Sequence, residues 1–210
     1  MWLHAEVQAF FPRERSERNP LKISMVLLAA GNSRRFGSNK LLYSIDGVTM
    51  FERAFKTLKM VQMHFSDISL TVVTQYREIV DLARMEGAVT VINPHPEQGI
   101  SSSLKLGLEA VPEADVTMFA VSDQPGLSAS TVIYFLEEFL KSGKAGGCLC
   151  FGERTGNPCV FSTSLYPELR ALCGDRGGKK VLLAHPENVF FYSVSSEEEL
   201  RDLDIPQNDS

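Results

Sequence analysis

Cysteine is scarce in this chain: four among 210 residues, at positions 148, 150, 159 and 173. They are too few and too unevenly spaced for a disulfide scaffold, and without a C-x-x-C pair they do not suggest a zinc site or a redox dithiol. Cys148 and Cys150 stand two apart in an expected strand, so they share a face, and buried thiols are the expectation. Long apolar runs are also missing, so no membrane-spanning helix is expected. The first apolar stretch is broken by Glu6 and Gln8 and followed by Arg13, Glu14, Arg15, Glu17 and Arg18. That pattern is unlike a secretory signal, and a cytoplasmic protein is expected. An excess of positive charge is absent as well: 21 Lys and Arg face 26 Asp and Glu, a net charge of −5. This argues against a broad nucleic-acid surface while leaving room for a local cationic pocket. The four histidines, at 4, 64, 95 and 185, fall in no metal-binding or catalytic spacing.

What the sequence does contain is an ordinary globular composition, 44% hydrophobic and 22% charged, of a length that suits about one domain. Residues 1–22 carry a net +1 and read as a poorly ordered extension ending at Asn19-Pro20. Residues 196–210 carry a net −5, which leaves the body near neutral at −1. Ile23 to Ala30 is a nearly unbroken apolar run, as expected for a strand buried on both faces of a parallel sheet. Thr49 is placed to cap a helix with Met50, Phe51, Ala54, Phe55 and Leu58 on one face. Strands are expected over 68–74, 88–92, 116–122 and 145–151. Helices are expected over 77–86, 102–110 and 128–142. Strands alternating with helices at this spacing predict βαβ units: a single α/β domain with a mostly parallel, Rossmann-like sheet and helices on both faces. Beyond Gly152 the pattern predicts a strand over 157–162, helices over 164–172 and 177–184, and a last strand over 188–194, the kind that often joins antiparallel.

Two segments carry the candidate chemistry. The first runs from Leu28 to Leu42, leaving the carboxyl end of the first buried strand, where open α/β sheets place ligands. Gly31 and Gly37 permit tight turns. Backbone N–H groups with Ser33, Arg34, Arg35 and Lys40 suit a polyphosphate cradle. It is neither a Walker A loop nor a G-x-G-x-x-G dinucleotide fingerprint, and a long solvated βα loop fits the spacing equally. The second segment ends a hydrophobic strand with Ser122-Asp-Gln-Pro125. A carboxylate facing a phosphate site calls for a hard cation between them, and Mg²⁺ takes one or two carboxylates plus phosphate oxygens. Asp123 as a simple turn residue before Pro125 is the other reading.

Together these segments resemble the MobA-like nucleotidyltransferases, and most closely their molybdenum cofactor cytidylyltransferase branch. The pattern A-A-G-x-S-x-R-x-G-x-x-K matches Ala29, Ala30, Gly31, Ser33, Arg35, Gly37 and Lys40, and D-x-P matches Asp123 and Pro125. A middle motif matches Asn93, Gly99, Ser102, Ser103, Leu104, Gly107 and Leu108. G-N-P-x-x-F matches Gly156 to Phe161, and G-D-x-G matches Gly174, Asp175 and Gly177. A closing D-I-D-T-P resembles Asp202 to Pro206. Departures are Ile205 for Thr, Gln207-Asn208 for an acidic pair, and Gly178 where Ala is common.

The resemblance implies a single domain of the nucleotide-diphospho-sugar transferase type, from residue 23 to the end. It also implies transfer of CMP from CTP to the phosphate of a molybdenum-bound molybdopterin, releasing pyrophosphate. A molybdenum hydroxylase apo-enzyme would then receive the product, with no nucleic acid or membrane involved. Ala29, Ala30 and Gly31 would line the base and α-phosphate, with Ser33 in the same loop. Arg35 and Lys40 would hold the β- and γ-phosphates. Asp123 and Asp204 would bind Mg²⁺. Ser102 and Ser103 would contact base or ribose, or simply cap a helix. Asp175, Gly177 and Lys179 would face the acceptor.

Rival readings are GTP as the donor, a sugar phosphate as the acceptor, a non-catalytic cofactor chaperone and a nicotinamide-dependent dehydrogenase. The guanylyl branch typically has L-A-G-G where this chain has Leu28-Ala-Ala-Gly31, and the Ala30 methyl takes room that a purine would need.

Overall fold

The computed structural model describes residues 21–31, 39–65 and 67–203. Of the expected N-terminal extension, residues 1–20 lie outside this set. Lys22 is already tied in: its N–H donates to the Asp115 carboxylate at 3.1 Å, and its carbonyl accepts from the N–H groups of Asp115 and Val116.

The core is one seven-stranded sheet. β1 (Ile23–Ala29) lies between β4 (Ile68–Thr74) and β6 (Val116–Val121), and pairs with both in parallel. β5 (Val89–Ile92) edges β4. On the other side the order continues β6, β8 (Arg154–Ser162), β7 (Gly146–Phe151), β9 (Val189–Ser193). A two-stranded hairpin, β2 (Ser44–Ile45) and β3 (Val48–Thr49), turns at Asp46-Gly47. β1 shows why the interior strands carry no polar alternation. Met25, Leu27 and Ala29 pack on one face and Val26 and Leu28 on the other, all buried.

Helices cover both faces. α1 (Met50–His64), α2 (Arg77–Met85) and α4 (Ala129–Ser142) enclose the first core, with Phe51, Phe55, Ile79, Phe135 and Phe139. α3 (Ile100–Glu109), α5 (Tyr166–Ala171) and α6 (Lys179–Ala184) enclose the second, with Leu104, Leu108, Leu169 and Leu182. Gly178 lets α6 approach the sheet, since a Cβ there would lie 2.6 Å from the Phe161 ring.

One expectation fails. The last strand, β9, is parallel to β7, and β8 is the strand that runs antiparallel to both its neighbours. The cause is the tight turn at Gly152, which folds β8 back between β6 and β7. α5 and α6 then return the chain, so β9 enters in the direction of β7. No helix among the described residues is long and apolar enough to cross a membrane.

Candidate active site

From β1 the chain steps outward to β4 and β5 and then returns to β6. The carboxyl ends of β1 and β6 therefore flank the point where the strand order reverses, the usual ligand position in such sheets. A cleft of about 320 Å³ opens there. It is lined from the β1 side by Leu28, Ala30, Gly31 and Lys40, and from the β6 side by Val121, Ser122 and Asp123. Glu97, Gly99, Ile100, Ser103 and Asp175 close it.

Lys40 and Asp123, 83 residues apart in sequence, meet across the cleft. Lys40 Nζ donates to Asp123 Oδ2 at 2.8 Å, with both side chains three-quarters or more withdrawn from solvent. Each has a local reason to be there. Asn39 caps a short 3-10 turn over Lys40–Leu42 by accepting from the N–H of Leu41. Asp123 stands two residues past the end of β6, and its carbonyl accepts from the N–H of Leu203 at 2.9 Å. Gln124 behind it donates to the Asp202 carboxylate at 2.9 Å, so Asp202 fastens the closing segment beside the site. Asp204 lies outside the described residues, as do Ser33 and Arg35.

Ser102 and Ser103 are not a cap pair. α3 begins two residues earlier than expected, with Gly99 as its N-cap, because the positive φ of Gly99 (84°) turns the chain into the helix. Asn93 Nδ2 donates to both hydroxyls, at 2.9 and 2.8 Å. Ser102 Oγ in turn donates to the Gly99 carbonyl. Ser103 lines the cleft, whereas Ser102 is not among its wall residues. Asn93 is thus a positioning residue to which the sequence reading gave no role, although its polarity at the end of an apolar strand was a signal.

A second pocket, of about 430 Å³, adjoins the first, and Leu28, Ile100, Val121 and Asp175 are common to both. Its walls include Phe119, Cys159, Phe161 and Leu183, and the polar part is Asn157 and Asp175 with Arg176, Gly177, Gly178, Lys179 and Lys180. Lys179 Nζ donates to the Thr155 carbonyl at 3.0 Å. Asp175, Gly177 and Lys179 therefore line one pocket, and Asp175 is common to both. Arg176 and Lys180 add cations that the sequence reading passed over. Among the described residues, no histidine lines either pocket. His64, His95 and His185 each pair with a glutamate.

A nucleotide-sized cleft at a reversal of strand order, with a lysine and an aspartate facing each other and an apolar, basic-rimmed pocket alongside, belongs to the class of α/β nucleotidyltransferases. The chain is a member of the MobA-like NTP transferase family, whose domain matches residues 25–189. It is 27% identical over 189 residues to nicotine blue oxidoreductase of Paenarthrobacter nicotinovorans, covering 87% of this chain and 92% of that one. It is 33% identical over 113 residues to a probable molybdenum cofactor guanylyltransferase of Aquifex aeolicus, covering 54% of this chain and 52% of that one. In fold it superposes on a Methanothermobacter nucleotidyl transferase with a TM-score of 0.72, at 23% identity, over 88% and 92% of the two chains.

Proposed function

We propose that this enzyme transfers CMP from CTP to the terminal phosphate of molybdenum-bound molybdopterin, forming the cytosine dinucleotide and releasing pyrophosphate. The observation that carries the reading is the juxtaposition of the two pockets. One has walls of mixed polarity and holds the Lys40–Asp123 pair. The other offers apolar walls for a planar body and three cations for a phosphate.

The chemistry suits that wall. An acceptor phosphate oxygen is already anionic near neutral pH, so it attacks the α-phosphorus without a base to activate it. The new P–O bond forms as the bond to the β-phosphate breaks, and pyrophosphate leaves with the charge. What remains for the protein is positioning and charge neutralisation. Lys40, with Arg35, holds the β- and γ-phosphates. Ala30 and Gly31, which line the cleft, bound the base and α-phosphate, with the expected Ala29 buried behind them in the core and Ser33 in the same loop. Asp175 with Gly177 and Lys179 orients the acceptor.

Mg²⁺ fits this arrangement as a partner of the triphosphate. The Lys40 ammonium beside Asp123 supports this reading, since that carboxylate already faces a positive charge. No group of three or more metal-ligating side chains occurs among the described residues, so phosphate oxygens would supply much of the coordination. Asp123, with Asp204 from the closing segment, would hold the ion, which when bound neutralises charge on the phosphates.

The test is pyrophosphate release from each of the four NTPs, with and without molybdopterin. Release with CTP that depends on the acceptor is expected. The similarity to nicotine blue oxidoreductase over most of both chains supports a second reading, an oxidoreductase acting on a planar acceptor in the same paired pockets. Acceptor-dependent consumption of a reduced nicotinamide, with no pyrophosphate from any NTP, would replace the first reading with the second.

A further inference from the structure

Three successive side chains at the end of β4 hold three successive carbonyls at the end of β1. Thr74 Oγ1 donates to Ala29 O at 2.8 Å, Gln75 Nε2 to Ala30 O at 2.9 Å, and the Tyr76 hydroxyl to Gly31 O at 2.7 Å. Thr74 Oγ1 also accepts from the N–H of Tyr76 at 3.1 Å, which locks the latch to itself. The latch follows from register: Ala29 is the partner of Thr74 at the last rung of the ladder, and the two chains leave the sheet side by side.

This fixes the direction of the peptide units that enter the cleft. In a trans peptide the N–H points opposite to the carbonyl that precedes it. With the carbonyls of Ala29 and Ala30 turned toward β4, the N–H groups of Ala30 and Gly31 turn toward the β6 side, where Ser122 and Asp123 stand. All three carbonyls already accept a hydrogen bond from the latch. The stem of the loop therefore shows a ligand donors rather than acceptors.

We propose that Gln75 and Tyr76 are positioning residues that set base specificity: by holding these carbonyls they make the Ala30–Gly31 wall a donor surface. Such a surface suits the acceptor atoms O2 and N3 of cytosine. It opposes the N1–H and 2-amino donors of guanine, which would need free carbonyls there. The inference rests on the nucleotide reading of the cleft, and neither side chain has to touch the nucleotide itself.

The experiment measures the Kd of Mg-CTP and Mg-GTP, by calorimetry, for the wild type, Tyr76→Phe, Gln75→Met and the double variant, with the melting temperature of each. One neutral hydrogen bond lost from the latch is expected to weaken CTP by about 3- to 10-fold. GTP is expected to change by less than about twofold, and the CTP/GTP ratio in the double variant to fall by about 10-fold or more. In the wild type the backbone amide signals of Ala30 and Gly31 should shift on adding Mg-CTP. An equal loss for both nucleotides would mean ordinary structural support and would overturn the proposal, as would unchanged CTP affinity in the double variant. A wild type that binds neither nucleotide removes the nucleotide reading and this inference with it, and that is seen before any variant is made.

Discussion

At the scale of single residues the cysteines show what the sequence reached and what it did not. Spacing placed Cys148 and Cys150 on one face of a strand, but the residue opposite Cys148 in the ladder is Cys159, eleven positions on. That pairing depends on the hairpin at Gly152 and on a bulge between Cys148 and Leu149, and the bulge, unlike the glycine turn, has no residue-type signature. Burial pushes the Cys148 thiol up to about 12 and Cys159 still higher, because the interior penalises the thiolate. At pH 8 a thiol with such a value is ionised in only about one molecule in 10⁴, and it is the thiolate that reacts. Cys173 is exposed and Cys150 only half-buried. Titration with a maleimide at pH 8 should therefore modify Cys173 first. Cys148 and Cys159 should stay unmodified until denaturant is added, as peptide mapping of the modified protein would show. Gly178 is a second case. Although alanine is common at the matching position of the resembling family, Gly178→Ala should lower stability here by about 1–3 kcal/mol, since the Phe161 ring must move to admit the methyl. A denaturant midpoint equal to wild type would show that the ring yields freely.

At the scale of elements, legibility followed local chemistry. α1 was readable to its first residue because Thr49 and Glu52 form a reciprocal capping box: the Thr49 hydroxyl accepts from the Glu52 N–H, and the Glu52 carboxylate accepts from the Thr49 N–H. Elements ordered by distant partners were not readable. The start of α3 is set by Gly99 packing against Gly174 and Asp175, and the direction of β9 by the return through α5 and α6. Thr49→Ala should cost about 1 kcal/mol at neutral pH. The Thr49 hydrogen bonds hold the Glu52 carboxyl below its ordinary value. Its contribution is therefore present above the unfolded value near 4.5 and disappears as pH falls through the lower, folded one. The gap between wild type and Thr49→Ala should accordingly shrink on acidification below about pH 4.5. Urea melts at pH 7 and pH 3 check this, and a gap that widens in acid would sink the capping-box account.

At the scale of the whole molecule, the Lys40–Asp123 pair is where the two halves of the chain join chemically. Sequence alone named both residues, because each belongs to a motif that follows a buried strand. Their contact needed the strand order, which puts β1 and β6 side by side. The pair has a cost as well as a use. Two opposite charges largely withdrawn from water support each other, and removing one leaves the other poorly compensated. Lys40→Met and Asp123→Asn should each destabilise the nucleotide-free protein. The double variant should lose less than the sum, with a coupling of about 0.5–3 kcal/mol, as for residues in direct contact. Turnover behaves differently. If both groups act on the phosphates as one unit, each single variant should lose most of the activity and the double variant little more, since residues that work together are non-additive. The pattern that supports both roles is therefore partial rescue of stability in the double variant with no rescue of pyrophosphate release. Additive stability losses would mean the ion pair contributes nothing to the fold. Recovery of turnover in the double variant would mean that neither charge meets the triphosphate, and the cleft between β1 and β6 would lose its assignment as the nucleotide site.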